Sequence, residues 1–152
     1  MTSCLKSKNA AASGGRNGVA RVLIFGSPTS KQYFAQPLLR GLVFFSRYAE
    51  SRAYFDLTVE TVAKALHHKG QASQSVTVVV DGLRGRDINR FKTSLRHRQV
   101  NVRKVRGVRD ESEPIIRLAD AIAGFVRDYL EGQSYALKLY EKAIKEGLLC
   151  DL

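Results

Sequence analysis

Apolar and polar positions alternate in blocks along this chain, and the spacing within each block predicts its structure. "VARVLIF", residues 19–25, is β-branched and apolar and is bounded by Gly26, Ser27 and Pro28, so it predicts a buried strand. Residues 33–46 mix aromatics with leucine and predict neither element clearly. From Tyr48 to His68, apolar residues Phe55, Leu57, Val59, Val62, Ala63 and Leu66 recur mostly at three- and four-residue steps, the period of an amphipathic helix. Gly70 ends that pattern, and the polar stretch "QASQS" leads to the next block. "VTVVVDG", residues 76–82, predicts a strand buried on both faces, as in the middle of an α/β sheet. Asp87 then predicts the cap of a short helix carrying Ile88, Phe91 and Leu95. "VNVRKV", residues 100–105, alternates apolar and polar and predicts a half-buried or edge strand. Ser112 is a suitable N-cap for a helix beginning at "EPIIRLADAIAGFVRDYLEG", with Pro114 in its first turn and Gly132 near its end. A last amphipathic helix is expected from about Tyr135 to Glu146. No internal repeat interrupts the series. The alternation of strand and helix argues for an α/β domain with a mixed sheet flanked by helices. Residues 1–18 are small and polar and are expected to be a flexible leader, which leaves residues 19–152 as one domain.

Charge sharpens this outline. The chain has 152 residues and a net charge of +11, which predicts attraction to an anionic partner, most often nucleic acid. No apolar run approaches the ~20 residues of a membrane helix, so no membrane partner is expected. Cys4 and Cys150 are the two cysteines and stand near opposite ends. That is neither a disulfide framework nor a zinc spacing, and a reducing cytoplasm is the simplest setting.

The basic residues concentrate after the valine strand. Arg84, Arg86, Arg90, Lys92, Arg96, Arg98, Arg103, Lys104, Arg106 and Arg109 are ten of the twenty-five Lys and Arg residues, and Asp87 is the only acid among them. Such a segment would draw a phosphate backbone, with strong salt dependence from counterion release. Arginine suits bidentate phosphate contacts. The alternative is a solvated helix and an edge strand kept soluble by charge. Phe91 is the one aromatic here, so stacking of single-stranded bases is not expected on this segment.

Two aspartates are candidates for chemistry. Asp81 ends the valine strand, where loops of α/β folds open a crevice, although Asp-Gly is also an ordinary turn. Asp120 lies in "RLADAIAG", among small apolar residues of a helix, where an isolated buried charge is costly unless paired or bound to a metal. Its alternative reading is an ion pair with Arg117 or Arg127. Gly124 on the same helix suggests a close approach to a sheet. Brought together, the two carboxylates would repel, and a divalent cation such as Mg²⁺ or Mn²⁺ would relieve that repulsion and serve phosphodiester cleavage. Asp110 and Glu111 could add ligands or lie in a solvated loop. "FGSPTS", residues 25–30, lacks the Gly-Lys-Ser/Thr ending of a phosphate loop, and adjacent His67 and His68 point in different directions.

"VTVVVDG", the basic helix and strand that follow it, and "RDESEPIIRLADAIAG" together resemble a widespread family, the domain of unknown function numbered thirty-eight hundred, whose fold is ribonuclease-H-like. The likeness covers about residues 19–131. It is most specific at Leu118, Ala119, Asp120, Ala123 and Gly124. It implies that Asp81 takes the strand-end acidic position, that Ser112 takes the loop position and that Asp120 takes the helix position of a metal site. Glu60 on the long helix is a further acidic candidate, with surface solvation as its alternative. The chain departs from the family by lacking the opening Asp-Glu-Ser-Gly strand. The resemblance therefore implies a member truncated at the N-terminal strands, split or degenerate, whose first acidic ligand would have to come from another chain or another position.

These readings converge on a ribonuclease-H-like, nucleic-acid-binding domain, with Mg²⁺-dependent nuclease chemistry at Asp81 and Asp120 as its enzymatic form. The competing expectation is an inactive binding or scaffolding module of the same fold. In either form, homo-oligomerisation could complete the sheet.

Overall fold

The computed structural model describes residues 18–23, 40–48, 54–108 and 114–152. In chain order the elements are β1 (Gly18–Leu23), β2 (Val43–Tyr48), α1 (Tyr54–His68), β3 (Val76–Asp81), α2 (Arg86–His97), β4 (Val102–Val108), α3 (Pro114–Leu130), α4 (Ser134–Lys145) and β5 (Leu149–Asp151). The class is mixed α/β. The described strands form two small sheets rather than one mixed sheet, ordered β1–β2–β5 and β3–β4. β1 runs antiparallel to β2, with Gly18 opposite Tyr48 and Leu23 opposite Val43. β5 runs parallel to β2, with Val43 opposite Leu149.

β2, "VFFSRY", is aromatic and β-branched, which favours a strand packed on both sides. Successive side chains leave by opposite faces. Phe44 joins the cluster of Val59, Val62, Ala63 and Leu66 from α1 with the valines of β3 and β4. Val43 and Phe45 join Val126 of α3, Tyr140 of α4 and Leu149 on the other side. This two-sided burial explains why the helical period does not extend back to Tyr48. Helix α1 begins at Tyr54 and ends at His68, and the residues of 33–46 that are described belong to a turn and to β2.

Ser46 follows Phe44 on the α1 side and is buried without a penalty. Its Oγ lies 2.9 Å from Thr61 Oγ1, and the Thr61 hydroxyl donates to the Leu57 carbonyl at 2.7 Å. On the far side Tyr140 stacks on Tyr129 with centroids 3.6 Å apart and meets Phe45 edge-on at 6.2 Å. Arg47 of β2 pairs with Asp151 of β5 and ties that edge. β5 has no forecast in the hydrophobic pattern, because three residues are too few to display a period.

α3 and α4 follow their predicted ranges closely, with Gly132 at φ +79° in the turn between them. α3 packs on β1 and α4. Leu118 is 37% exposed and Asp120 only half-buried, so the face that suggested a buried charge is partly wet. A Cβ added at Gly124 would meet nothing within 4 Å among the described residues, which therefore show no close approach at this glycine. Among the described residues, no helix is long and apolar enough to cross a membrane.

Candidate nucleic-acid interface

The basic segment folds as one unit, β3–α2–β4. β3 and β4 are parallel neighbours and α2 is their crossover. At the end of β3 the chain turns at Gly82, whose φ is +67° and whose N–H donates to the Val108 carbonyl at 2.9 Å. Glycine takes this left-handed conformation without a steric cost. Leu83 then crosses β4 so tightly that a Cβ on Gly107 would stand 1.6 Å from the Leu83 carbonyl oxygen. Gly85 precedes α2 as its N-cap, so Asp87 is a first-turn residue and not the cap. Its carboxylate there suits the helix dipole.

α2 buries Phe91 and Leu95, with Ile88 half-buried beside them, at the four- and three-residue steps of one helical stripe. The stripe packs on β4 and α1. Its remaining surface carries exposed Arg86, Arg90, Arg96 and, just past its end, Arg98, with Lys92 half-buried. Some of these cations are already held. The Arg90 guanidinium sits 4.1 Å over the Phe55 ring and 3.5 Å from the Asp56 carboxylate. Phe55 in turn meets Phe91 edge-on at 5.5 Å, so Arg90 roofs an aromatic pair between α1 and α2. Arg98 donates to the Ser94 carbonyl at 3.2 Å, and its own carbonyl lies 2.9 Å from His67 Nε2.

β4 contains a bulge. Val76 faces Val102 but Thr77 faces Lys104, so Arg103 is surplus to the ladder. Val102 and Val105 are consequently both buried although three residues apart, and Arg103 and Lys104 are both exposed. The register places Val78 with Val105 on the face toward α1 and α2, and Thr77 with Lys104 on the opposite face. Val79 with Arg106, and Asp81 with Val108, share that opposite face. Thr77, Lys104 and Arg106 are exposed, and Val79 belongs to neither core cluster. Among the described residues β3 thus joins a core cluster by one face only and pairs with one strand, rather than lying in the middle of a larger sheet.

The acidic candidates lie on three different elements. Asp81 is half-buried at the end of β3 and makes no hydrogen bond or ion pair among the described residues. Asp120 sits on α3, whose main packing partners are β1 and α4 rather than the β3–β4 pair. Glu60 pairs with Lys64 at 2.8 Å, one helical turn along an exposed face of α1. Ser112, Asp110 and Glu111 lie outside the described residues, as do residues 1–17, the segment 25–30 and Arg109. No three His, Cys, Asp or Glu side chains gather among the described residues as a metal ion would require. The described residues do not by themselves fit a metal centre.

Sequence reasoning did not find the bulge at Arg103 or the crossing of Leu83 over Gly107. The glycine inside "KVRGV" was the available signal, since a glycine within a strand often marks close backbone approach. Comparison with family models, with curated proteins and with solved structures finds no match to this chain.

Proposed function

We propose that this protein binds nucleic acid through the β3–α2–β4 unit, which would hold the phosphate backbone. The observation that carries the reading is the clustering of exposed Arg84, Arg86, Arg96, Arg103, Lys104 and Arg106 on one small unit whose helix holds a single acid, Asp87. Two of them, Lys104 and Arg106, stand side by side in alternate positions of β4 on a sheet face that no described helix covers. Positive charge at this density is repelled by itself and relieved by a polyanion. Arg90, seated on Phe55 and Asp56, contributes to the unit's architecture first and to phosphate attraction second. Lys92 and Arg98 supply charge at the margin.

The resemblance to ribonuclease-H-like domains belongs to this reading, as does a reducing compartment for a chain with two cysteines. A nuclease would need more. Asp81 and Asp120 would have to share Mg²⁺ or Mn²⁺, and a further carboxylate would have to join them. The described residues supply no such group, so binding without cleavage is the function we put forward.

The test is fluorescence anisotropy with labelled DNA duplex and labelled single-stranded RNA, measured over a series of salt concentrations and with chelator present. Affinity should fall steeply with salt, log K declining by roughly 0.9 per log salt for each phosphate neutralised on duplex DNA. Chelator should leave it unchanged. A flat salt response would remove the reading. Loss of binding on chelation would return the metal to the centre of it.

A further inference from the structure

Among the described residues β3 pairs with β4 alone, and none of them forms a ladder on the outer edge of β3. Parallel strands ordinarily lie inside larger sheets covered on both faces. An open edge invites addition of another strand, and proteins commonly block it with lysine, proline or a bulge. β3 carries none of these. Its sequence is Val-Thr-Val-Val-Val-Asp, and the bulge lies in β4, within the β3–β4 ladder rather than on the outer edge of β3. We infer that a second copy of this chain pairs its own β3 antiparallel along this edge, giving a four-stranded sheet β4–β3–β3–β4 with a two-fold axis at Val79.

The faces of the strand select the register. Val78 and Val80 point to the core under α1 and α2, whereas Thr77, Val79 and Asp81 point away from it. A slip of one residue would reverse those faces in one copy relative to the other. Centring the pair on Val79 sets Val79 against Val79 and Thr77 against the second copy's Asp81. Val79, half-buried and outside both cores, gains an apolar neighbour. The Asp81 carboxylate, half-buried and without a hydrogen bond or ion pair to any described residue, gains the Thr77 hydroxyl as a donor. Lys104 stands beside Thr77 in the ladder, which brings its ammonium within side-chain reach of the same carboxylate. The Thr77–Asp81 and Lys104–Asp81 contacts occur twice and the Val79 contact once, on the axis, as an isologous interface requires. The strongly basic β4 strands stay on the outside, three strand spacings or ~14 Å apart, beyond the Debye length of ~8 Å at physiological salt.

The inference does not rest on nucleic-acid binding. It would, however, place two basic faces on the same side of one sheet.

The test uses the full chain, freed of nucleic acid, with Cys4→Ser and Cys150→Ala as background. Light scattering should give a mass twice the single-chain 16.9 kDa. Oxidation of Val79→Cys should then yield a covalent dimer under denaturing conditions, whereas Thr77→Cys should not. Thr77→Cys combined with Asp81→Cys should restore cross-linking. In the unmodified background Val79→Lys should halve the mass with the circular dichroism spectrum retained. A single-chain mass would overturn the proposal. So would a dimer in which Val79→Cys fails to cross-link, since the interface would then lie elsewhere.

Discussion

The two sheets of this protein contrast in how they are covered. β1–β2–β5 has α1 against one face and α3 with α4 beyond the other, and its central strand hides Phe44 on one side and Phe45 on the other at 1% exposure each. β3–β4 has α1 and α2 against one face and no described element packed on the second, where Thr77, Lys104 and Arg106 are exposed. The first sheet spends its side chains on packing. The second packs half of them and presents the rest. If the second sheet binds nucleic acid as proposed, stability and recognition fall to different sheets, and variants of the two should fail in different ways.

The largest difference should come from the covered sheet. Phe45→Ala removes a ring that contacts Tyr140 edge-on and should destabilise the fold by about 3–5 kcal/mol, read as a lower denaturant midpoint. If binding were lost while that midpoint stayed constant, the division between the sheets would be wrong. Next comes Gly107→Ala, because its methyl would collide with the Leu83 carbonyl. A cost of about 1–3 kcal/mol is typical of overpacking, and it should displace the Gly82–Gly85 loop that carries Arg84. Neutral stability would mean that the loop yields easily. Smaller again is the contrast within α2. Arg90→Ala should cost about 0.5–1 kcal/mol through its lost place over Phe55. Arg86→Ala should change stability by less than about 0.5 kcal/mol while reducing the magnitude of the salt slope by about one. Equal behaviour of the two variants would erase the distinction between an architectural arginine and a presented one.

The smallest expected effect lies far from the basic unit. The Tyr135 hydroxyl donates to the Asp128 carboxylate, and this hydrogen bond holds the phenol pKa above its ordinary value of 10.0. Desolvation and the Asp128 charge push the same way, and Arg127 opposes them. A group raised in the folded state stabilises below its unfolded pKa and loses that contribution as pH rises through the folded one. Tyr135→Phe should therefore lower stability slightly at neutral pH, where the hydrogen bond contributes, and flatten the decline at strongly alkaline pH by the same small amount, as followed by thermal melts. An unaltered alkaline limb would show that the hydrogen bond is not kept in solution.

Much of this architecture was legible in the residues. The valine run became β3, the three- and four-residue spacing of Ile88, Phe91 and Leu95 became the apolar stripe of α2, and Gly132 fell in the turn after α3. The errors have physical causes. "VFFSRY" buries both faces and so shows neither the alternation of a half-exposed strand nor a helical period. The valines of β3 promised burial on both sides, but burial also depends on what the rest of the chain brings alongside, and hydrophobicity alone does not report that. The clustering of basic residues could be read directly, since adjacency in sequence within one βαβ unit becomes adjacency in space. Convergence of Asp81 and Asp120 could not be read in that way. It requires two elements to meet, and the docking of α3 on β1 and α4 is decided by shape rather than by either aspartate.

The surplus residue in β4 has a consequence for how this strand tolerates change. Deleting Arg103 would let Lys104 follow Val102 directly, and each later position would keep the neighbour it already has on β3. The ribbon would straighten and lose one cation, with its apolar side undisturbed. Here chain length is a dial that adjusts charge and local curvature while leaving the architecture alone.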